Sequence, residues 1–213
     1  MRTIFAIIAV MFLAGCASPL PLELKTARID TAPAEEISVA VVDHRDFILN
    51  GDKPAWFEGI IRSVYGIPVN LERPGADGSQ PFARYLATMI EGGIEKSGGQ
   101  AVIIDLPPGM QPEAAREFLA REKRRALLTI MYKSRYDVGF SADYQYDFVM
   151  SVLDAEGRVM AEERFSGWPR PPLSDTYTIF DMFTEIYSNQ LSQMLADPAI
   201  SAALQKQIAA AAN

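Results

Sequence analysis

Carboxylates are plentiful in this sequence, but the thiol and imidazole side chains that most often act as nucleophile and general base are scarce. Among its 213 residues there is one cysteine, Cys16, and one histidine, His44. Cys16 closes the run Leu13-Ala14-Gly15-Cys16, behind a single basic residue, Arg2, and an apolar stretch from Ile4 to Leu13. A basic start, a short apolar run and small residues together form a secretory signal, too short to stay in a bilayer as a spanning helix. Ala14 and Gly15 leave room for a peptidase to hold the chain extended just ahead of the thiol. The chemistry on offer is therefore cleavage beside one sulfur.

His44 lies in Asp43-His44-Arg45-Asp46, a place where a general base can sit, but no serine or cysteine stands in a nucleophile motif to use it. An imidazole in a polar turn is the plainer expectation. One histidine excludes a histidine-rich zinc site by count. Asp143 and Asp147 offer paired carboxylates, and a glycan hydrolase would need two across a cleft; strand alternation alone accounts for both. Gly92-Gly93 and Gly98-Gly99 do not make a phosphate loop, and the second pair reads as a helix stop. The basic cluster Arg121, Lys123, Arg124 and Arg125 would touch anionic headgroups or, more simply, complement the end of a helix. Binding candidates are Trp56, Phe57 and Tyr65, with Asp43 and Arg45 at a strand end. The row Tyr132, Tyr136, Phe140, Tyr144 and Tyr146 is expected to face a helix as core. Trp168-Pro-Arg-Pro-Pro172 is expected to be an extended connector, with polyproline docking as its alternative. No cofactor and no metal are implied.

The residues ending at Cys16 resemble the lipobox of bacterial lipoprotein signal peptides. That resemblance implies removal of residues 1–15, a diacylglyceryl group on the Cys16 sulfur and an acylated new amine. Each acyl methylene buried in lipid adds roughly 0.8 kcal/mol, so several chains on one residue give stable anchoring. Ala17 and Ser18 follow, with no aspartate beside the cysteine, and similarity to enteric sorting patterns implies the outer membrane, with the domain in the periplasm.

Removal of 15 residues leaves 198, enough for one domain and a tail. The whole chain is 49% apolar and 22% charged, an ordinary globular balance, with a formal charge of −7. That charge disfavours nucleic acid, which needs clustered positive charge. With its only thiol acylated, the domain would hold by core burial, with no disulfide.

The elements that must position these residues can be read from periodicity. Residues 16–36 carry three prolines and no period, and are expected to be a flexible tether. Ile37-Ser-Val-Ala-Val-Val42 is a buried strand. Residues 46–80 fit either a small hairpin or a long excursion turning at its glycines. Pro81 starts a helix with Phe82, Tyr85, Leu86, Met89 and Ile90 on one stripe, and Ala101–Ile104 follows as a strand: the pattern of a parallel crossover. A second helix starts at Pro112. From Ala126 the period becomes two, giving a three-stranded antiparallel meander through Phe165, turning at Asp154–Gly157. A last helix spans about Thr176 to Leu195; Asp197-Pro198 ends it, and the alanine-rich tail 197–213 is expected to fray. The fold class is α/β, a two-layer mixed sheet with about three helices mainly on one face, as a single domain over 37–196.

With the lipobox, the Val39–Arg45 strand end, the Pro81–Gly99 helix and the tyrosine-rich meander placed, the chain resembles small proteobacterial lipoproteins of the YajG type. The resemblance implies fold kinship with the TolB amino-terminal domain and with auxiliary lipoproteins of lipid-transport ABC systems, and it carries no catalytic residues. The expected role is non-enzymatic: a membrane-anchored binding or accessory module in envelope assembly or maintenance, with an envelope protein as partner. Alternatives are a subunit of an inter-membrane lipid-transport system and a carboxylate-dependent cell-wall hydrolase.

Overall fold

A computed structural model of the protein describes residues 25–30, 32–72, 80–139, 141–171 and 178–205. The expected signal, Cys16, the loop 74–79, Phe140, Pro172 and the last eight residues of the tail lie outside the described residues.

Seven strands form one mixed sheet. Strand β1 (Ile37–Asp43) is buried along its whole length. Its side chains alternate between two cores, Val39 and Val41 on one face, Ala40 and Val42 on the other. A strand covered on both faces must read as an apolar run, as this one does. A single helical turn, α1 (Asp46–Leu49), leads to a hairpin of β2 (Phe57–Arg62) and β3 (Pro68–Glu72). Of the two readings of residues 46–80, the described part, 46–72, is the small hairpin preceded by a helical turn. Helix α2 (Phe82–Lys96) crosses back, and β4 (Ala101–Ile103) pairs parallel with β1, the crossover its spacing predicts. Helix α3 (Pro112–Ala120) covers the second face through Ala115 and Leu119. The meander is β5 (Ala126–Val138), β6 (Ala142–Leu153) and β7 (Val159–Gly167), all antiparallel. Helix α4 (Ile179–Leu195) lies with α2 on the first face. The structure is the α/β mixed sheet expected, with helices mainly on one side.

Strand β5 organises the rest. Along one edge it carries β6 throughout. Along the other, β1 pairs parallel as far as Asp43↔Met131, and β2 takes over at Gly59↔Tyr136. The sheet therefore forks beside residues 132–135. A register shift between Met131 and Lys133 marks the same place. An extra residue inverts the side-chain phase. Before it Leu127 and Met131 face the first core; after it Tyr136 and Val138 do.

Two stretches expected to be loose are packed. From Lys25 the tether lies against α2 and α4: Ala27 N–H donates to the Met89 carbonyl (2.9 Å), Arg28 N–H to Ser192 Oγ (2.7 Å), and Ser188 Oγ–H to the Thr26 carbonyl (2.5 Å). A Cβ on Gly93 would collide with the Ala27 carbonyl, which is why the glycine pair sits mid-helix. The tail forms α5 (Pro198–Gln205), burying Ile200, Ala203 and Leu204. Asp197-Pro198, read as a stop, is also a start: Asp197 Oδ1 accepts from the N–H groups of Ala199 (2.9 Å) and Ile200 (3.2 Å), with proline at the first helical position.

Candidate functional site

The predicted binding residues separate into two places. Asp43, Arg45 and Phe57 are inside the fork; Tyr65 stands on the hairpin tip; Trp56 lies between them, half-buried, its Nε1–H on Glu72 Oε2 (3.0 Å).

Arg45 is fully buried, at 0% exposure, and fills the fork. Its Nε–H and Nη2–H grip both oxygens of Asp43 (2.9 and 2.6 Å). Nη1–H donates to the carbonyls of Phe57 (2.7 Å) and Ser134 (3.2 Å), backbone acceptors where the two strands part. The guanidinium stands 5.0 Å from the centre of the Phe82 ring and 5.1 Å from that of Phe47. A planar fork of donors suits a gap where several oxygens need satisfying at once. Behind it Tyr136 stacks between Tyr144 and Phe183 of α4 (4.4 and 4.0 Å), and Tyr187 Oη–H donates to buried Glu58 (3.1 Å). Burial first of all holds the Tyr144 hydroxyl well above the ordinary phenol range. The tyrosines of the expected row thus pack as core, except Tyr132, which the bulge sends to the other face beside His44 (5.5 Å between rings) and Arg164.

The other chemistry-bearing residues are similarly engaged. His44 Nε2 donates to the Met110 carbonyl (2.8 Å) and is nearly buried, where an exposed turn was expected. Asp147 is bidentate with Arg164 (2.7 and 2.8 Å), and Asp143 meets Arg170 (3.0 Å). The basic cluster divides at Lys123, which turns the chain in the left-handed region (φ 52°). Arg121 covers Phe118, Arg124 pairs with Glu36, and buried Arg125 donates to the Ala203 and Leu204 carbonyls at the end of α5. Arg125 complements a helix end, as expected, but on a helix that the sequence pattern did not show. Among the described residues no group of three acidic or imidazole side chains converges as a metal ion requires. An apolar cavity of about 270 Å³ opens between α2 and the ends of β1 and β4, walled by Val41, Ala87, Ile103 and Leu106, with the Arg84–Asp105 pair (2.5 Å) on its rim.

The hairpin tip is the opposite kind of surface. Ser63 N–H donates to the Ile67 carbonyl (3.0 Å), and Gly66 N–H to the Ser63 carbonyl (2.8 Å). Ser63 Oγ accepts from the N–H groups of Tyr65 and Ile67 (3.3 Å each). Gly66 takes φ +73°, which only a residue without Cβ adopts freely. This tight, internally bonded turn holds out Val64 at 85% exposure, Tyr65 at 87% and Ile67 at 60%, with Val69 exposed behind them. Arg62 fastens the arm to β5 through a bidentate pair with Asp137 (2.7 Å each), and that hydrogen bond, before any other cause, holds the Asp137 carboxyl below its ordinary value. Apolar side chains presented on an ordered turn are the surface feature that calls for a partner.

No protein-family model matches the sequence, and no curated protein matches it. Distant likenesses appear among solved structures. Protein XCC0632 from Xanthomonas campestris, of the DUF330 family, is 13% identical with a TM-score of 0.47, over 80% of this chain and 90% of that one. A PelC dodecamer from Paraburkholderia phytofirmans is 13% identical with a TM-score of 0.40, over 85% and 95%. Lipoprotein GNA1162 from Neisseria meningitidis is 12% identical with a TM-score of 0.28, over 76% and 99%. Likenesses at this level assign no activity to this chain. Among the described residues, no helix is long and apolar enough to cross a membrane.

Proposed function

We propose that this protein is an outer-membrane lipoprotein, anchored through Cys16 with its domain in the periplasm, and that it acts without catalysis as a binding or accessory module in envelope assembly or maintenance. Kinship with the YajG type belongs to the same proposal. The observation that carries it is the β2–β3 arm: a fastened hairpin that ends in exposed apolar side chains and offers β3 as an edge strand of the sheet. An edge strand presents free backbone groups to which an extended segment of an envelope protein can add, and Asn70 lies exposed on it. His44, Asp43, Asp143 and Asp147, the residues on which a hydrolase would draw, are each bonded within the fold.

Photocrosslinking from position 70 in intact cells tests the docking. A single dominant protein adduct supports the reading, and a smear of abundant bystanders sinks it. The apolar cavity beside α2 favours a second reading, an auxiliary lipoprotein of a lipid-transport ABC system. Phospholipid extracted from the purified protein would support that one, and lipid-free protein would remove it.

A further inference from the structure

We propose that the hairpin tip, together with Trp168, is a second membrane contact that lays this end of the domain on the bilayer holding the lipidated Cys16. The inference rests on the anchored-lipoprotein reading and names the partner of the tip, leaving the β3 edge for a protein.

Trp168 belongs to the same end of the molecule. The connector after β7 runs along β6, since the Tyr144 N–H donates to the Pro169 carbonyl (3.1 Å) and Arg170 Nε–H to Asp143 (3.0 Å). That part of β6 lies beside the β5–β6 turn, and β2 flanks β5 on the other side (Ile61↔Val138). One end of the sheet therefore carries Val64, Tyr65, Ile67 and a Trp168 that is 64% exposed. Tryptophan and tyrosine favour the headgroup level, and aliphatic side chains favour the depth just below it.

Charge permits the approach. The chain is acidic overall, yet Asp137 and Asp143 at this end are held by Arg62 and Arg170 (2.7 and 3.0 Å). Arginines at the rim can keep their head groups among lipid phosphates while their stems stay apolar.

The path of the chain decides the occupant. Thr26 bonds Ser188, Arg28 bonds Ser192, and Ile29 and Asp30 lie by Leu195 and Ala196. Followed towards Cys16, this segment climbs α4 towards its first turns. Those turns place Phe183 on Tyr136, the residue at which β2 joins β5. The chain thus leaves the described domain heading for the hairpin end. The nine residue-to-residue steps from Cys16 to Lys25 reach at most about 30 Å. Val64 lies five residues beyond Gly59 along the arm, roughly 17 Å at strand rise. A lipid at Cys16 and the tip can therefore meet one membrane surface.

The test uses mature, full-length, lipidated protein. Since the Cys16 sulfur carries lipid, Tyr65→Cys supplies a unique thiol for an environment-sensitive nitrobenzoxadiazole label; Glu156→Cys, on the β6–β7 turn at the opposite end of the sheet, supplies the control. Both are reconstituted into vesicles of phosphatidylethanolamine and phosphatidylglycerol, with and without brominated acyl chains. The expected result is blue-shifted, several-fold brighter emission at position 65 that brominated chains quench, against water-like, unquenched emission at 156. Protein that floats with the vesicles but keeps a water-like signal at 65 overturns the second contact and leaves the anchor standing. A shielded but unquenched position 65 means a second copy covers the tip, and overturns it too. Protein that does not float at all removes the anchor and this inference together.

Discussion

Arg45 and Tyr65 lie twenty residues apart and reverse the usual sorting of side chains. The guanidinium, which water solvates well, has no exposure, whereas the phenol ring and its aliphatic neighbours stand almost entirely in solvent. Each inversion needs a reason. At the fork it is backbone chemistry: where one strand replaces another along β5, the Phe57 and Ser134 carbonyls take Arg45, and Asp43 balances its charge. Leaving such acceptors buried and unpaired would be costly. At the tip no fold-level reason exists, because the turn bonds itself through Ser63 and Gly66. The difference separates a polar cluster that serves the fold from an apolar one that serves contact.

If that separation is right, Arg45→Met should have the largest effect. Leaving Asp43 buried without its partner should cost about 3–5 kcal/mol, read as a lowered urea midpoint at unchanged slope. The double variant with Asp43→Leu should recover most of it; equal instability in both would mean the backbone acceptors, not the charge pair, dominate. Next comes Gly59→Ala at the root of the arm. The added methyl meets the Tyr136 backbone, so a loss of about 1–3 kcal/mol is expected, with protease cuts concentrated at 57–72. Uniform cleavage would show that the arm does not open separately.

Thr178→Ala removes the oxygen that accepts from the Asp181 N–H at the start of α4, and should cost about 1 kcal/mol in thermal or chemical melts. Acid provides a milder probe. The folded Asp137 carboxyl titrates below its ordinary 3.8, so its stabilisation of the arm is complete above that value and fades as pH falls through it towards the depressed one. Proteolysis of the arm should rise in that window, and Asp137→Asn should remove the pH dependence; an unchanged profile in the variant would place the acid sensitivity elsewhere. The smallest stability effect belongs to Val64→Ser with Tyr65→Ser, within about 0.5 kcal/mol of the parent. The same pair should abolish bromolipid quenching of Trp168 in a Trp56→Phe background.

Periodicity made β1, α2, β4, the meander and α4 legible, because each exposes a repeating apolar face that local sequence alone can encode. The bulge at residue 132 was not legible. Nothing in Met131-Tyr132-Lys133 marks an extra residue; it arises where β1 ends and β2 begins along the same edge, a relation between segments far apart in sequence. That shift is why Tyr136 joined the aromatic core while Tyr132 left the row for His44. Asp197-Pro198 was ambiguous for a different reason. The same pair ends one helix and caps the next, and only the buried Ile200 and Leu204 beyond it show which.

By itself the sequence determined the order and type of the main elements, and it is the whole basis for the proposed anchor at Cys16. Only the tertiary structure decided which of Asp43, Arg45, Phe57 and Tyr65 face solvent. Local spacing sets the side of an element on which a residue lies; burial depends on whether a distant strand or helix covers that side.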